Sequence, residues 1–360
     1  MTIAVALSGG IDSLVAAYLL KQQTPDIFGI HFITGYESRR HGNDTPLDFG
    51  PGSPASHRPN PQLQQIARQL EIPLHIIDIR KTFEENIVAY FVETYRSGKT
   101  PNPCVMCNRI IKFGAALEAA RNLGATNLAT GHYARIGKKT DRLELLKGAD
   151  RNKDQSYFLS MLTEKQLSRA IFPLGDLEKN RVHEVAREHD LQPASGRESQ
   201  DICFIPAQNY GDFLEAREKG VYEPGPIVDT EGNAIGRHKG LHRYTIGQRR
   251  GLNCPAAAPY YVVRIDPENN RLVVGFENTL YKETCSISNV NWLIPKPEKP
   301  ISVRAKIRYR HHEAAAWIEP GPGNSATIRF REPQKAITPG QAAVCYQQEA
   351  VAAAGWIEYV

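Results

Sequence analysis

Over the first 130 residues the apolar positions switch repeatedly between a strand-like run and a helical period. Thr2 to Leu7 is a short apolar run that Ser8-Gly9-Gly10 breaks, and Leu14, Ala17 and Tyr18 then recur at helical spacing. Ile27 to Ile33 reads as a second strand. Leu63, Ile66, Ala67 and Leu70 share one helix face, and Ile72 to Ile79 forms a third strand. Thr82-x-x-Glu85 has the form of a capping box, opening a helix that Gly98 closes. Cys107 to Leu123 predicts a further helix ended by Gly124, and Asn127 to Thr130 a fourth strand. Alternation of this kind predicts an α/β domain with a parallel sheet covered by helices.

Two stretches depart from that rhythm. Tyr36 to Pro61 is rich in Gly, Pro, Ser, Arg and His with almost no apolar period, and reads as either a mobile functional loop or a disordered insert. After about residue 207, Pro and Gly become frequent and short strands replace helices. Ile227 to Asn233 reads as a hairpin, and Tyr260 to Ile265 and Arg271 to Val274 as strands joined at Pro267 to Asn270. Pro295 to Pro300 reads as a linker, and the remainder as a small barrel or sandwich. The expected domains are 1–207, 208–282 and 283–360.

Composition narrows the class. The 360 residues are 41% hydrophobic, enough for sizeable cores, and none of their apolar runs approaches a bilayer span. Met1-Thr2-Ile3-Ala4-Val5 has no basic region or signal-type cleavage pattern, so the expected location is the cytoplasm. Six cysteines are too few for a disulfide scaffold; closely spaced ones in a reducing compartment point to metal binding or catalysis. The net charge of +5 is compatible with a polyanionic partner.

The strongest motif is Ser8-Gly9-Gly10-Ile11-Asp12-Ser13, directly between a strand and a helix. Glycines let the backbone approach a ligand, and exposed N–H groups at a helix start attract phosphate. Ser8 and Ser13 add hydroxyls, and Asp12 reads as a Mg²⁺ ligand or a helix cap. The pattern is neither Walker A nor the dinucleotide fingerprint. It resembles the PP-loop of the ATP pyrophosphatases, which implies ATP, Mg²⁺ and an adenylated intermediate.

Cys104-Val105-Met106-Cys107 lies between Thr100-Pro101-Asn102-Pro103 and a helix. Cys107 near that helix's N-terminus, with Arg109 and Lys112 close by, would favour a thiolate nucleophile. Cys203 is the third notable thiol, whereas Cys254, Cys285 and Cys345 read as structural. A zinc site, a redox pair and inert thiols are the alternatives; no second C-x-x-C supplies zinc ligands.

Seven segments together carry a more specific likeness: Ala6 to Ser13, Thr100 to Phe113, Ala129 to Tyr133, Asn152 to Leu159, Ser199 to Ile205, Tyr244 to Leu252, and Pro339-Gly340-Gln341. In this order the chain resembles the bacterial tRNA-specific 2-thiouridylases (MnmA type) over nearly its whole length. The resemblance implies a Rossmann-like PP-loop domain, a small β-rich central domain and a C-terminal β-barrel that binds tRNA. It implies ATP-dependent replacement of the wobble uridine 2-oxygen by sulfur, taken from a persulfide donor protein, on tRNAs for Lys, Glu and Gln.

By residue match, Cys203 is the persulfide carrier and Cys107 the nucleophile that either attacks the persulfide or releases sulfide, leaving a transient Cys107–Cys203 disulfide. Ala6, Leu7, Ser8, Gly9, Gly10, Ile11, Asp12 and Ser13 form the ATP loop, with Phe32 and Gly131 bordering the nucleotide. Asn102, Pro103 and Cys104 meet the target base. His132, Lys153, Asp154, Gln155, Arg308, Tyr309 and Gln341 match tRNA contacts. Many members carry Asp where this chain has Cys104. That departure opens an alternative, a [4Fe–4S] cluster on Cys104, Cys107 and Cys203. Another adenylating PP-loop enzyme, amide- or lysidine-forming, and an RNA-binding protein with a structural metal are the rival functions. Arg304, Lys306, Arg308 and Arg310 alternate with apolar residues, so one extended strand would put all four cations on one face. Arg237, Lys239, Arg243, Arg249 and Arg250 form a second basic cluster.

Overall fold

The computed structural model describes residues 1–36, 61–194, 202–205, 209–218, 220, 222–255 and 257–358. The interruption expected over Tyr36 to Pro61 lies, apart from its two ends, outside the described residues. So does Ser199 to Asp201, upstream of Cys203. The chain divides into two compact units. One comprises Met1–Ile87, Cys104–Phe204 and Glu349–Val351; the other comprises Val88–Pro103, Ile205–Gln348 and Ala352–Val360. Among the described residues, no helix is long and apolar enough to cross a membrane.

The first unit is built on a five-stranded parallel sheet. Its strands are β1 (Ile3–Ala6), β2 (Ile27–Ile33), β3 (Leu74–Asp78), β4 (Asn127–Ala129) and, after a hairpin of β5 (Ala134–Lys139) and β6 (Arg142–Lys147), β7 (Ala170–Ile171). The spatial order is β3-β2-β1-β4-β7, all parallel. β1 is buried up to its last residue, Ala6, which is partly exposed, and helix Ile11–Gln23 buries Leu14, Val15, Ala16, Ala17 and Leu20 in the same core. Chain order reverses between β1 and β4. In open parallel sheets, ligands bind at such a switch point, beyond the carboxyl ends of the strands. The loops that begin there are Leu7 to Gly10 and Thr130 to His132. The β5–β6 hairpin, absent from the sequence expectations, pairs Leu146 with Ala350.

The second unit is mostly antiparallel sheet. Its smaller sheet contains β8 (Gly225–Val228), β9 (Ala234–His238), β10 (Tyr261–Asp266) and β11 (Arg271–Gly275), in the order β10-β11-β8-β9. β8 and β9 form the expected hairpin, as do β10 and β11. The larger comprises β12 (Tyr281–Trp292), β13 (Ile301–Lys306), β14 (Ala314–Pro320), β15 (Ser325–Lys335), β16 (Ala342–Gln347) and β17 (Ala350–Ile357). Pairing of β12 with both β15 and β17 closes these six strands into a barrel. Its lining includes Val303, Ala305, Ile318, Ile328, Ala343 and Ala353. Cys285 and Cys345 are buried in this core, as structural thiols should be.

Several local expectations are corrected. Thr82 does not cap: the helix begins at Arg80, and Ile79 at its cap makes no side-chain bond. The helix does end at Ser97, with Gly98 at φ +71°. A reciprocal capping box occurs instead at Thr163 and Gln166. The helix predicted from Cys107 starts at Pro103, where proline's fixed φ suits the first turn. Pro295 to Pro300 is a linker as expected, connecting β12 to β13 inside the barrel.

The row of four cations also fails. β13 ends at Lys306, so Arg304 and Lys306 lie on the strand while Arg308 and Arg310 lie in the turn beyond it. Arg308 Nη2 donates to the carbonyls of Ile246 (3.1 Å) and Ala336 (2.6 Å), and to Thr338 Oγ1. In the second basic cluster, Arg243 is neutralised by Asp212 and Glu215. Replacing Arg308 by Met removes all three contacts and leaves only the Thr338 hydroxyl to serve the Ala336 carbonyl (2.9 Å). The variant is expected to unfold with about 1–3 kcal/mol less stability. Chemical denaturation checks this, and an unchanged midpoint would show that Arg308 does not hold the turn.

Candidate active site

The segment after β1 runs into helix Ile11–Gln23 through Gly9 at φ +90°, a left-handed conformation that favours glycine. Ser13 Oγ accepts from the Ser8 N–H (3.2 Å) and donates to the Gly10 carbonyl (2.9 Å), tying the turn to the helix. His31 Nδ1 lies 2.7 Å from the Leu7 carbonyl, joining the end of β1 to β2 one residue before Phe32. A methyl group on Gly131 would lie 2.8 Å from the Asp12 carbonyl carbon and 2.9 Å from the Ser13 nitrogen. The β4 loop therefore presses directly on the phosphate-type loop, and only glycine allows it.

Asp12 does not cap its helix. Its Oδ1 accepts from the Tyr133 hydroxyl (2.6 Å) and from Lys179 Nζ (2.7 Å). Tyr133 is buried, and its backbone is held in turn. The Tyr133 N–H donates to Gln155 Oε1 (3.0 Å), and the Gln155 N–H donates to the Tyr133 carbonyl (2.8 Å). The segment Lys153 to Gln155 is thus coupled to the loop through one side chain. Asp154 is buried; its Oδ1 accepts from the Gly148 and Ser156 N–H groups (3.0 Å each) and its Oδ2 from the Ser156 hydroxyl (2.9 Å). It shapes the turn ahead of helix Ser156–Leu159.

His132 is buried rather than displayed. An ammonium can only donate, so Lys112 Nζ, 3.3 Å away, addresses the lone pair of Nε2. Nδ1–H then donates to Thr130 Oγ1 at 2.6 Å. Burial and the Lys112 charge hold the imidazole well below its usual range, so it stays neutral at pH 7.

The helical segment that carries the thiols is widened. Cys107–Ala116 is π-helical, and Gln166 Nε2 donates to the Arg109 (2.7 Å) and Phe113 (2.9 Å) carbonyls. Because helix formation starts at Pro103, Cys104 and not Cys107 stands in the first turn. Burial and the neighbouring Cys203 push the Cys104 thiol up to about 11, against a lowering by Lys112. Desolvation there outweighs the helix dipole. Cys203 is fixed by its neighbour: Phe204 is 1% exposed and packs on Phe83 and Tyr36, ring centroids 5.7 and 5.8 Å apart.

In the other unit, Gln341 Nε2 donates to the Thr100 (3.1 Å) and Pro101 (2.9 Å) carbonyls, and Asn102 N–H to Tyr90 Oη (3.3 Å). Thr100 N–H donates to the Pro339 carbonyl (2.9 Å), and Gly340 at φ +87° lies where a methyl would strike the Thr100 carbonyl at 2.7 Å. Pro339-Gly340-Gln341 is therefore a mould for the segment leading to Pro103. Tyr309 lies under Lys306, whose Nζ is 5.3 Å from its ring centroid. The sequence pattern does not single out Lys179, His31 or Gln166. Tyr133, beside Gly131 and His132, carries a positional signal only.

Three family profiles cover the chain. One described as "tRNA methyl transferase HUP domain" matches residues 1–207. A "tRNA methyl transferase PRC-barrel domain" matches 211–276 and an "Aminomethyltransferase beta-barrel domain" 282–357. A protein of Desulfosudis oleivorans named tRNA-specific 2-thiouridylase MnmA is 45% identical over 355 residues, 99% of this chain and 94% of its own. The chain belongs to the tRNA-specific 2-thiouridylase family. Similarly named proteins of Syntrophotalea carbinolica and Moorella thermoacetica are each 42% identical, across 99% of this chain and 98% and 99% of theirs. The profile descriptions speak of methyl transfer, whereas these full-length 2-thiouridylase relatives are named for thiolation.

Two groups associated with this 2-thiouridylase chemistry can be tested against the residues. Mg²⁺ typically takes one or two carboxylates plus substrate phosphates, and Asp12 on the phosphate-type loop fits that role. For a [4Fe–4S] cluster, no three His, Cys, Asp or Glu side chains among the described residues, Cys104, Cys107 and Cys203 included, are grouped to hold a metal ion. Gly131→Ala is expected to weaken ATP-analogue binding at least about tenfold in calorimetry, and unchanged affinity would contradict the close packing. Iodoacetamide at pH 8 should modify Cys104 about a hundredfold more slowly than in the unfolded chain. By mass spectrometry its rate should rise steeply only as pH nears 11. Equal rates at pH 8 would refute the desolvated thiol.

Proposed function

We propose that this chain converts the wobble uridine of tRNA to 2-thiouridine in an ATP-dependent reaction. The observation that supports it most directly is the phosphate-type loop at the sheet's switch point, its Asp12 clasped by Tyr133 and Lys179, in a chain that belongs to the 2-thiouridylase family along its full length. Ala6 to Ser13 receive the triphosphate, with Phe32 and Gly131 bordering the nucleotide and Asp12 holding Mg²⁺. Bound Mg²⁺ supplies charge neutralisation at the phosphates.

The uridine 2-oxygen attacks the α-phosphorus. The Pα–O–Pβ bond breaks and pyrophosphate leaves with the electron pair. The terminal sulfur of a Cys203 persulfide then attacks C2, and AMP departs with the former uridine oxygen. Cys107 thiolate attacks Cys203 Sγ, the S–S bond to the transferred sulfur breaks, and 2-thiouridine is released. The resulting Cys107–Cys203 disulfide is reset by an external dithiol, and a persulfide-bearing protein reloads Cys203. The base must leave the loop stack to reach such a site. Asn102, Pro103 and Cys104 receive it. His132, Lys153, Asp154, Gln155, Arg308, Tyr309 and Gln341 serve tRNA, several by shaping backbone rather than by exposed charge. The acceptors are tRNAs for Lys, Glu and Gln, and the reaction takes place in the cytoplasm.

Nucleoside mass spectrometry of unmodified tRNA, incubated anaerobically with the protein, Mg–ATP and a persulfide donor, should show 2-thiouridine only with ATP. Cys203→Ser should abolish turnover and keep tRNA binding. Thiolation without ATP, or undiminished turnover by Cys203→Ser, would overturn the proposal.

A further inference from the structure

Lys179 lies 167 residues from Asp12 in sequence, yet its ammonium is 2.7 Å from the Asp12 carboxylate. Lysine is almost never fully buried without a partner, and this one is 7% exposed. Its position is over-determined. Its own N–H donates to Asp150 Oδ2 (3.0 Å), while Asp150 Oδ1 accepts from Asn152 N–H (3.0 Å). It opens helix Lys179–Glu188, whose Val182, Val185 and Ala186 share the core of helix Ile11–Gln23. Nζ also stands 5.8 Å from the Tyr133 ring centroid.

The loop itself, Ala6 to Ser13, contains no Lys or Arg. Walker-type loops carry their own lysine for the phosphates; this loop has none. A site that releases pyrophosphate must still neutralise the charge that accumulates on the leaving group. We propose that Lys179 is the phosphate-binding cation of the nucleotide site, contacting the β-phosphate and stabilising pyrophosphate as the Pα–O–Pβ bond breaks. An ammonium has three N–H donors, so Asp12 can anchor it through one while a phosphate oxygen takes another. Asp12 thereby carries two tasks, Mg²⁺ on one side and the aim of Lys179 on the other. A purely structural ion pair would have no preference between nucleotide fragments. A phosphate-binding lysine discriminates between pyrophosphate, which it touches, and AMP, which it does not. The inference rests on the ATP-cleaving reading of the loop.

Calorimetry with Mg–pyrophosphate and, separately, AMP tests it on the full chain. Lys179→Met should weaken pyrophosphate binding at least about tenfold and leave AMP binding within about twofold. Lys179→Arg should restore part of the loss, and kcat should fall in Lys179→Met with the KM for tRNA unchanged. Lys179→Gln, whose neutral amide can still donate to Asp12, serves if Lys179→Met does not fold; the same selective loss of pyrophosphate is expected. Parallel loss of AMP and pyrophosphate by a folded variant, or no loss of either, overturns the lysine assignment alone. A wild-type protein that binds neither ligand overturns the nucleotide reading and the lysine assignment with it.

Discussion

The site depends on one side chain, Tyr133. Its hydroxyl reaches the Asp12 carboxylate, and its backbone is paired in both directions with Gln155. Removing that ring would leave Lys179, bound to both Asp12 and Asp150, to link the loop to the turn that follows β6. The adjacent Gly131 presses against the same loop backbone, and Lys179 fixes Asp12 from a third element. An acidic residue in a loop built for phosphate is a standing electrostatic conflict. The neighbouring phenol and ammonium resolve it by neutralising and aiming the carboxylate.

The sheet was legible because each strand of a covered parallel sheet is a compact apolar run, and β1, β2 and β4 read that way. The glycine loop was legible because few residue types make that turn. Other features were hidden for identifiable reasons. Lys138, Lys139, Asp141 and Arg142 disguise the β5–β6 hairpin as polar surface. Pro103 looks like loop, yet proline at a helix start sets the entry angle, and this shifts the helical position of both thiols. The alternation from Val303 to Arg310 continues in the letters after the strand has ended at Lys306, so Arg308 became a turn clamp. Lys179 was illegible because nothing local connects it to Asp12.

The thiols show how burial overrides local electrostatics. A helix start and nearby cations argue for a lowered pKa, but the first-turn thiol is Cys104, and its surroundings push it the other way. A protonated Cys104 beside Cys203 can donate a hydrogen bond. The Tyr36–Phe83–Phe204 aromatic cluster anchors the chain immediately after Cys203.

The central claim is that oxygen leaves uridine on AMP. Labelling the wobble uridine 2-oxygen with ¹⁸O and following the products by mass spectrometry tests it in one experiment. One ¹⁸O per 2-thiouridine should appear in the AMP phosphate, with none in pyrophosphate. Label in water or in pyrophosphate, with unlabelled AMP, would contradict adenylation of the base and, with it, the phosphate loop's part in the reaction.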